Sequence, residues 1–184
     1  MLRDVDCGSF KLSTVEIADF AAGFVSGFSG NNDKADFESC YHESATFDTD
    51  ICTLVTDFES KDTKEIIAGV KLIMKDATKL VGDLSGCPAN VQADIKTVGD
   101  WATYWDGKPE IRVIAAARKN VKAHMDEIKT DAAQITTDYA SKDYYDAAKM
   151  AASIAKLALP VESEAYGDQQ CTKPDGEVYT LDTI

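Results

Sequence analysis

The sequence predicts an all-α protein: a single elongated helical bundle of about six helices, with two related helical hairpins and an extended C-terminal tail. Three observations predict it. Apolar residues return every three to four positions from Ile17 to Ala158, which lays one buried stripe along each helix. A seven-residue corner, Thr56-Asp57-Phe58-Glu59-Ser60-Lys61-Asp62, occurs again as Thr137-Asp138-Tyr139-Ala140-Ser141-Lys142-Asp143. The chain is 45% hydrophobic over 184 residues, enough for one domain with a real core. No apolar run approaches the roughly 20 residues of a membrane span.

The corner joins two apolar-periodic segments in both places. Phe47, Ile51, Leu54, Val55 and Phe58 precede the first copy, and Ile66, Val70, Ile73, Ala77 and Leu80 follow it. Ile128, Ala132, Ile135 and Tyr139 precede the second, and Ala147, Ala151, Ile154 and Ala158 follow. The copies align without gaps, Leu54 on Ile135, Val70 on Ala151 and Ile73 on Ile154. Asp62 with Glu65, and Asp143 with Asp146, have capping-box spacing. Each corner therefore reads as the turn of a helical hairpin. Leu54, Phe58, Val70, Ile73, Ile135 and Tyr139 are expected in the core. Two copies are too few for a solenoid.

Ser13 and Glu16 form a capping box for a first helix that runs to about Phe28, with Ile17, Phe20, Ala21, Phe24 and Val25 on its stripe. Gly23 and Gly27 let another backbone approach, and internal packing is favoured over the dimer contact that this spacing signals in membranes. After the Gly30-Asn31-Asn32 turn, a second helix spans roughly 33 to 59 and is weakest from Glu43 to Thr49. The third covers about 62 to 85 and stops at Gly86. Pro88 suits the first turn of a fourth, which carries Val91, Ile95, Val98, Trp101 and Trp105. Asp106-Gly107-Lys108-Pro109 ends it. A fifth helix over 110 to 139 would be roughly 45 Å long, and a sixth ends before Pro160. Residues 1–162 form the bundle domain and 163–184 the tail. The tail is polar until Val178-Tyr179-Thr180-Leu181-Asp182-Thr183-Ile184, which alternates loosely like a short strand.

Five cysteines favour an oxidising compartment. In an antiparallel hairpin turning near Ser60, Cys40 lies level with Val81 and near the following turn, within reach of Cys87. Cys52 lies level with Gly69, roughly 25 Å along the axis from Cys87, which excludes that pair. Helices one and two turn near Asn31, bringing Cys7 close to Cys52. The pairing expected is Cys7–Cys52 and Cys40–Cys87, with Cys171 left over on the tail. The competing reading is five reduced, buried thiols in a cytosolic protein.

A formal net charge of -13 argues against nucleic acid and anionic membranes, which reward Lys and Arg. Asp48, Asp50 and Glu59 match positions 1, 3 and 12 of a calcium loop. Thr53 stands where that loop needs glycine, and the segment has helical periodicity. Cys40 and His42 lack the second ligand pair that structural zinc requires. His124 sits mid-helix. Trp101, Tyr104 and Trp105 could stack on a flat ligand or a sugar, but Trp101 and Trp105 share one helical face, which favours core packing. No motif for catalysis, a metal or a cofactor is found, so the expectation is a protein that is not an enzyme.

Phe20-Ala21-Ala22-Gly23-Phe24-Val25-Ser26-Gly27-Phe28, Cys40, Cys87, Trp101-Ala102-Thr103, Asp143-Tyr144-Tyr145 and Ala158-Leu159-Pro160-Val161-Glu162 resemble an uncharacterised family of cysteine-containing helical proteins of ciliates and other protists. The resemblance spans about residues 7 to 162 and implies a secreted all-α protein with no catalytic residues. Met1 to Gly8 lacks the apolar core of a signal peptide, and the tail has no counterpart in that family. The expected function is a secreted structural protein, the self-assembling subunit of an extracellular filament or coat. Cys171, Val178, Tyr179, Leu181 and Ile184 are its expected assembly residues, and its expected partner is another copy of itself. The alternative is a helical module that binds a lipid or other apolar small molecule.

Overall fold

The computed structural model describes residues 7, 11–41, 47–84, 86–161, 171–172 and 178–179. Among them are eight helices: α1 (Thr14–Ser29), α2 (Lys34–Cys40), α3 (Phe47–Glu59), α4 (Thr63–Asp83), α5 (Ala89–Asp106), α6 (Glu110–Ala123), α7 (Met125–Ala140) and α8 (Tyr144–Ala158). Two-residue strands, β1 (Cys171–Thr172) and β2 (Val178–Tyr179), pair antiparallel, with Cys171 opposite Tyr179 and Thr172 opposite Val178.

The two corners fold alike. The Ser60 N–H donates to the Thr56 carbonyl as Ser141 does to Thr137. The Lys61 N–H donates to Phe58 as Lys142 does to Tyr139. Lys61 and Lys142 both take the left-handed conformation, at φ 55° and 60°. Asp62 then caps α4 by accepting from the Lys64 and Glu65 amides, and Asp143 caps α8 by accepting from Asp146. The duplicated letters thus give a duplicated turn. Its two hairpins, α3–α4 and α7–α8, meet through α3 on α7 and α4 on α8. The aligned positions all point inward: Leu54 and Ile135, Phe58 and Tyr139, Val70 and Ala151, Ile73 and Ile154 are each buried.

The remaining helices clasp this pair. α1 lies along α8 and also touches α5, which packs on α4. At the α1–α8 contact the two backbones approach closely. A Cβ at Gly23 would run into the Tyr145 carbonyl, and one at Gly27 would lie 2.5 Å from the Ala152 Cβ. Ala147, Ala148, Ala151, Ala152, Ala155 and Ala158 keep α8 thin where it packs among α1, α4, α6 and α7, and all six are fully buried. The small residues of α1 therefore serve internal packing.

The helix count differs from the expected six at two places. The expected second helix is divided into α2 and α3. Tyr41 takes an extended backbone (φ -79°, ψ 112°) while its ring stacks on Phe37 at 5.5 Å, and both rings are 2% exposed. The extended backbone at Tyr41 ends α2 while its ring stays in the core. The expected fifth helix is interrupted at His124 (φ -113°, ψ 22°). The break lets α6 bury Val113, Ala117 and Val121 against α4 and α8, while α7 buries Ile128, Ala132 and Ile135 against α3 and α8. Val121, Met125 and Ile128 keep helical spacing across the break, so the apolar stripe itself does not call for it.

Two disulfides staple the bundle: Cys7–Cys52, with Cα atoms 5.6 Å apart, and Cys40–Cys87, at 5.2 Å. These are the pairs that the hairpin register brings level. Both tie segments otherwise joined only through long connections, at sequence separations of 45 and 47.

Candidate functional site

The C-terminal end of α8 is held by three side chains. The indole N–H groups of Trp101 and Trp105 both donate to the Leu159 carbonyl, at 2.7 and 3.0 Å, and the Asn120 amide donates to the Ala158 carbonyl at 3.0 Å. These bonds satisfy carbonyls that a helix terminus leaves without partners. They also explain the tryptophans: Trp101 is 3% and Trp105 5% exposed, so both are core residues, with Trp101 reaching the wall of a groove beside α8. Tyr104 differs. It is half-buried, and the Lys108 ammonium sits 4.5 Å from its ring centre.

Two open grooves flank α8 near this end. One, about 650 Å³, lies between α1 and α8 and is lined by Gly27, Tyr145, Lys149, Met150, Lys156 and Leu157 among others. The other, about 570 Å³, lies where α1, α5 and α8 meet and is lined by Phe28, Asp100, Tyr104, Lys156, Pro160 and Val161. Lys156 borders both and donates to the Gly27 carbonyl at 3.1 Å. The Tyr145 hydroxyl donates to Ser26 Oγ at 2.9 Å, and the Lys34 and Lys149 ammonium groups lie 5.4 and 5.7 Å from its ring centre. Such cation–π placement fixes the lysines beside the groove. The floor is apolar and half-buried: Phe28, Met150 and Leu157.

The interior holds a third space. A narrow cavity of about 30 Å³ lies between α1, α3 and α4, walled by Phe20, Phe24, Ile51, Leu54 and Leu80 and by one carboxyl, Asp76. Asp76 is 9% exposed. Burial, reinforced by a hydrogen bond shared with Asp50 and by that neighbour's charge, pushes its pKa up to about 7, against the pull of Lys79 and Lys75. A buried carboxyl beside another carboxylate holds its proton because the two cannot both ionise cheaply. The same chemistry recurs at the first corner. Burial and then Glu65 raise Asp57 to about 6. Burial and then Asp143 raise Asp146 at the equivalent second corner. On α5, Asp94 is 6% exposed, accepts from the Asn31 amide at 2.8 Å, and is raised by burial and by Asp33.

No three acidic, His or Cys side chains converge on a metal-sized space among the described residues. Cys40 is spent in a disulfide, so it cannot pair with His42, which lies outside the described residues. Asp50 faces Lys75 at 4.0 Å. His124 is exposed at the α6–α7 junction, 3.7 Å from Glu127. No helix among the described residues is long and apolar enough to cross a membrane. Of the expected assembly residues, Cys171, Val178 and Tyr179 lie in the β1–β2 pairing, and Leu181 and Ile184 lie outside the described residues.

The grooves and the buried acids are absent from the sequence expectations. The grooves join residues as distant as Phe28, Tyr104 and Val161, which no local pattern connects. The acids did leave a signal. Asp76 falls three residues after Ile73 and four before Leu80, and Asp94 three after Val91 and four before Val98. Those are stripe positions. Compared with known protein families, curated proteins and solved structures, the chain matches none.

Proposed function

We propose that this chain is a secreted structural protein, the self-assembling subunit of an extracellular filament or coat, with its C-terminal tail as the assembling element and no catalytic role. The observation that carries this reading is the contrast, among the described residues, between the small space inside the bundle and the open grooves on its surface. The cavity among α1, α3 and α4, at about 30 Å³, has room for about one water and none for a lipid chain. That disfavours the alternative, a module carrying a lipid or other apolar small molecule between its helices. Apolar side chains face solvent instead in the grooves beside α8, where the chain runs on from Val161 toward the tail. The two disulfides support an oxidising compartment. The charge of -13 suits an extracellular surface that avoids nucleic acid.

Light scattering on the intact protein and on a variant lacking residues 163–184 tests the reading. The intact protein should grow in mass from micromolar to millimolar concentration, and the truncated one should stay monomeric. An intact protein that remains a monomer throughout, or a truncated one that assembles equally well, refutes it.

A further inference from the structure

The grooves on either side of Lys156 differ from the rest of this acidic surface. Two lysines line them, Lys149 and Lys156, against one lining carboxylate, Asp100. Beneath the lysines lies an apolar floor of Phe28, Tyr104, Met150 and Leu157, all half-buried. At about 650 and 570 Å³ the two grooves are open and large enough for the side chains of an extended or hairpin segment of polypeptide. A small molecule would keep too much of its surface in water there.

The tail has the complementary chemistry. Residues 163–184 carry Glu164, Asp168, Asp175, Glu177 and Asp182 against the single Lys173. Four apolar residues, Val178, Tyr179, Leu181 and Ile184, fall in the last seven, between and beside Glu177 and Asp182, with Ala165 and Tyr166 nearer the start of the tail. The β1–β2 pairing sets Val178 and Tyr179 into a short antiparallel element. Val161, half exposed on the rim of the second groove, lies two residues before the tail.

We infer that the lysine-flanked grooves along α8 are the receptor for the tail of a second copy of this chain. Val178, Tyr179, Leu181 and Ile184 of that copy lie on the apolar floor, and Glu177 and Asp182 face Lys149 and Lys156. This rests on the proposed self-assembly and names its receptor. Such a contact joins two different surfaces, so it propagates from copy to copy.

Zero-length carbodiimide cross-linking of full-length protein tests it, using an equal mixture of nitrogen-14 and nitrogen-15 chains read by mass spectrometry. The expected products join Lys149 or Lys156 to Asp175, Glu177 or Asp182, with mixed-isotope pairs. A Lys149→Glu/Lys156→Glu chain should lose these products and self-associate about 10-fold more weakly or worse, from two lost charge pairs. Both lysines keep part of their surface in water. An unchanged circular dichroism melt confirms that this chain folds, and a Lys149→Ala/Lys156→Ala chain should show a smaller loss. Assembly without such cross-links, or undiminished in the charge-reversed chain, overturns the groove assignment and leaves the assembly reading intact. Cross-links found only within one copy of a monomeric protein overturn the assembly reading and the second-copy occupant together.

Discussion

Replacing Asp76 with asparagine should stabilise the protein at neutral pH, which is unusual for a buried polar position. Asp76 lines an apolar cavity at 9% exposure, and its pKa is raised from 3.8 to about 7. In the unfolded chain it ionises near 3.8, so the folded state binds the proton more tightly. Stability from this group is complete below about pH 4 and is lost as pH rises through about 7. A shift of that size corresponds to about 4 kcal/mol once the pH exceeds 8, at about 1.4 kcal/mol per unit. Coupling to Asp50 and relaxation around the site reduce the expected gain to about 2–4 kcal/mol. The asparagine amide can donate to Asp50 as the protonated carboxyl does, so Asp76→Asn mimics the acid form at every pH. Urea unfolding followed by circular dichroism, without reductant, should show the variant gaining about 2–4 kcal/mol at pH 8 and almost nothing at pH 3 to 4. The parent should weaken between pH 4 and 8, with Asp57, raised to about 6, adding to the trend. A variant weaker than the parent at pH 8, or a parent that strengthens over that range, would refute the reasoning.

Three further outcomes follow from the packing. Gly23→Ala should destabilise by about 2 kcal/mol or more, because the added methyl meets the Tyr145 backbone carbonyl and α8 must shift, outweighing the gain in helix propensity; calorimetry that finds it neutral would contradict the close α1–α8 contact. Lys61→Gly and Lys142→Gly should each stabilise by about 0.5–1 kcal/mol, since both lysines hold a left-handed backbone that glycine adopts freely, and the two gains should add within error. Removing the Cys40–Cys87 bridge as Cys40→Ser/Cys87→Ser should cost about 4 kcal/mol on the chain-entropy model, visible as a lower urea midpoint.

How far the sequence could be followed depended on whether the determining forces were local. The corners are local: Asp62 and Asp143 cap the helix that starts beside them, and the turn repeats wherever those letters do. The core is nearly so, because Leu54, Val70 and Ile135 announce their burial through spacing within one helix. The disulfides needed only helix directions and the rise per residue. The break between α2 and α3 falls beside the stretch, Glu43 to Thr49, that the sequence marks as the weakest of its helix, whereas the break at His124 was invisible because no Gly or Pro marks it. His124 separates α6, which packs on α4 and α8, from α7, which packs on α3 and α8, and Tyr41 leaves the helix while its ring stacks on Phe37. The buried acids were legible as carboxylates on an apolar stripe, but their proton affinity comes from partners such as Asp50 on another helix. The grooves depend on two helices in one case and three in the other, so spacing along any one of them carries no trace.

Electron microscopy of the intact protein at high concentration tests the central claim most directly. Head-to-tail contact between an α8 groove and a neighbour's tail predicts a polymer with one subunit per repeat and no two-fold axis at the junction. A field of monomers, or of closed two-fold dimers in which α8 faces α8, would contradict it.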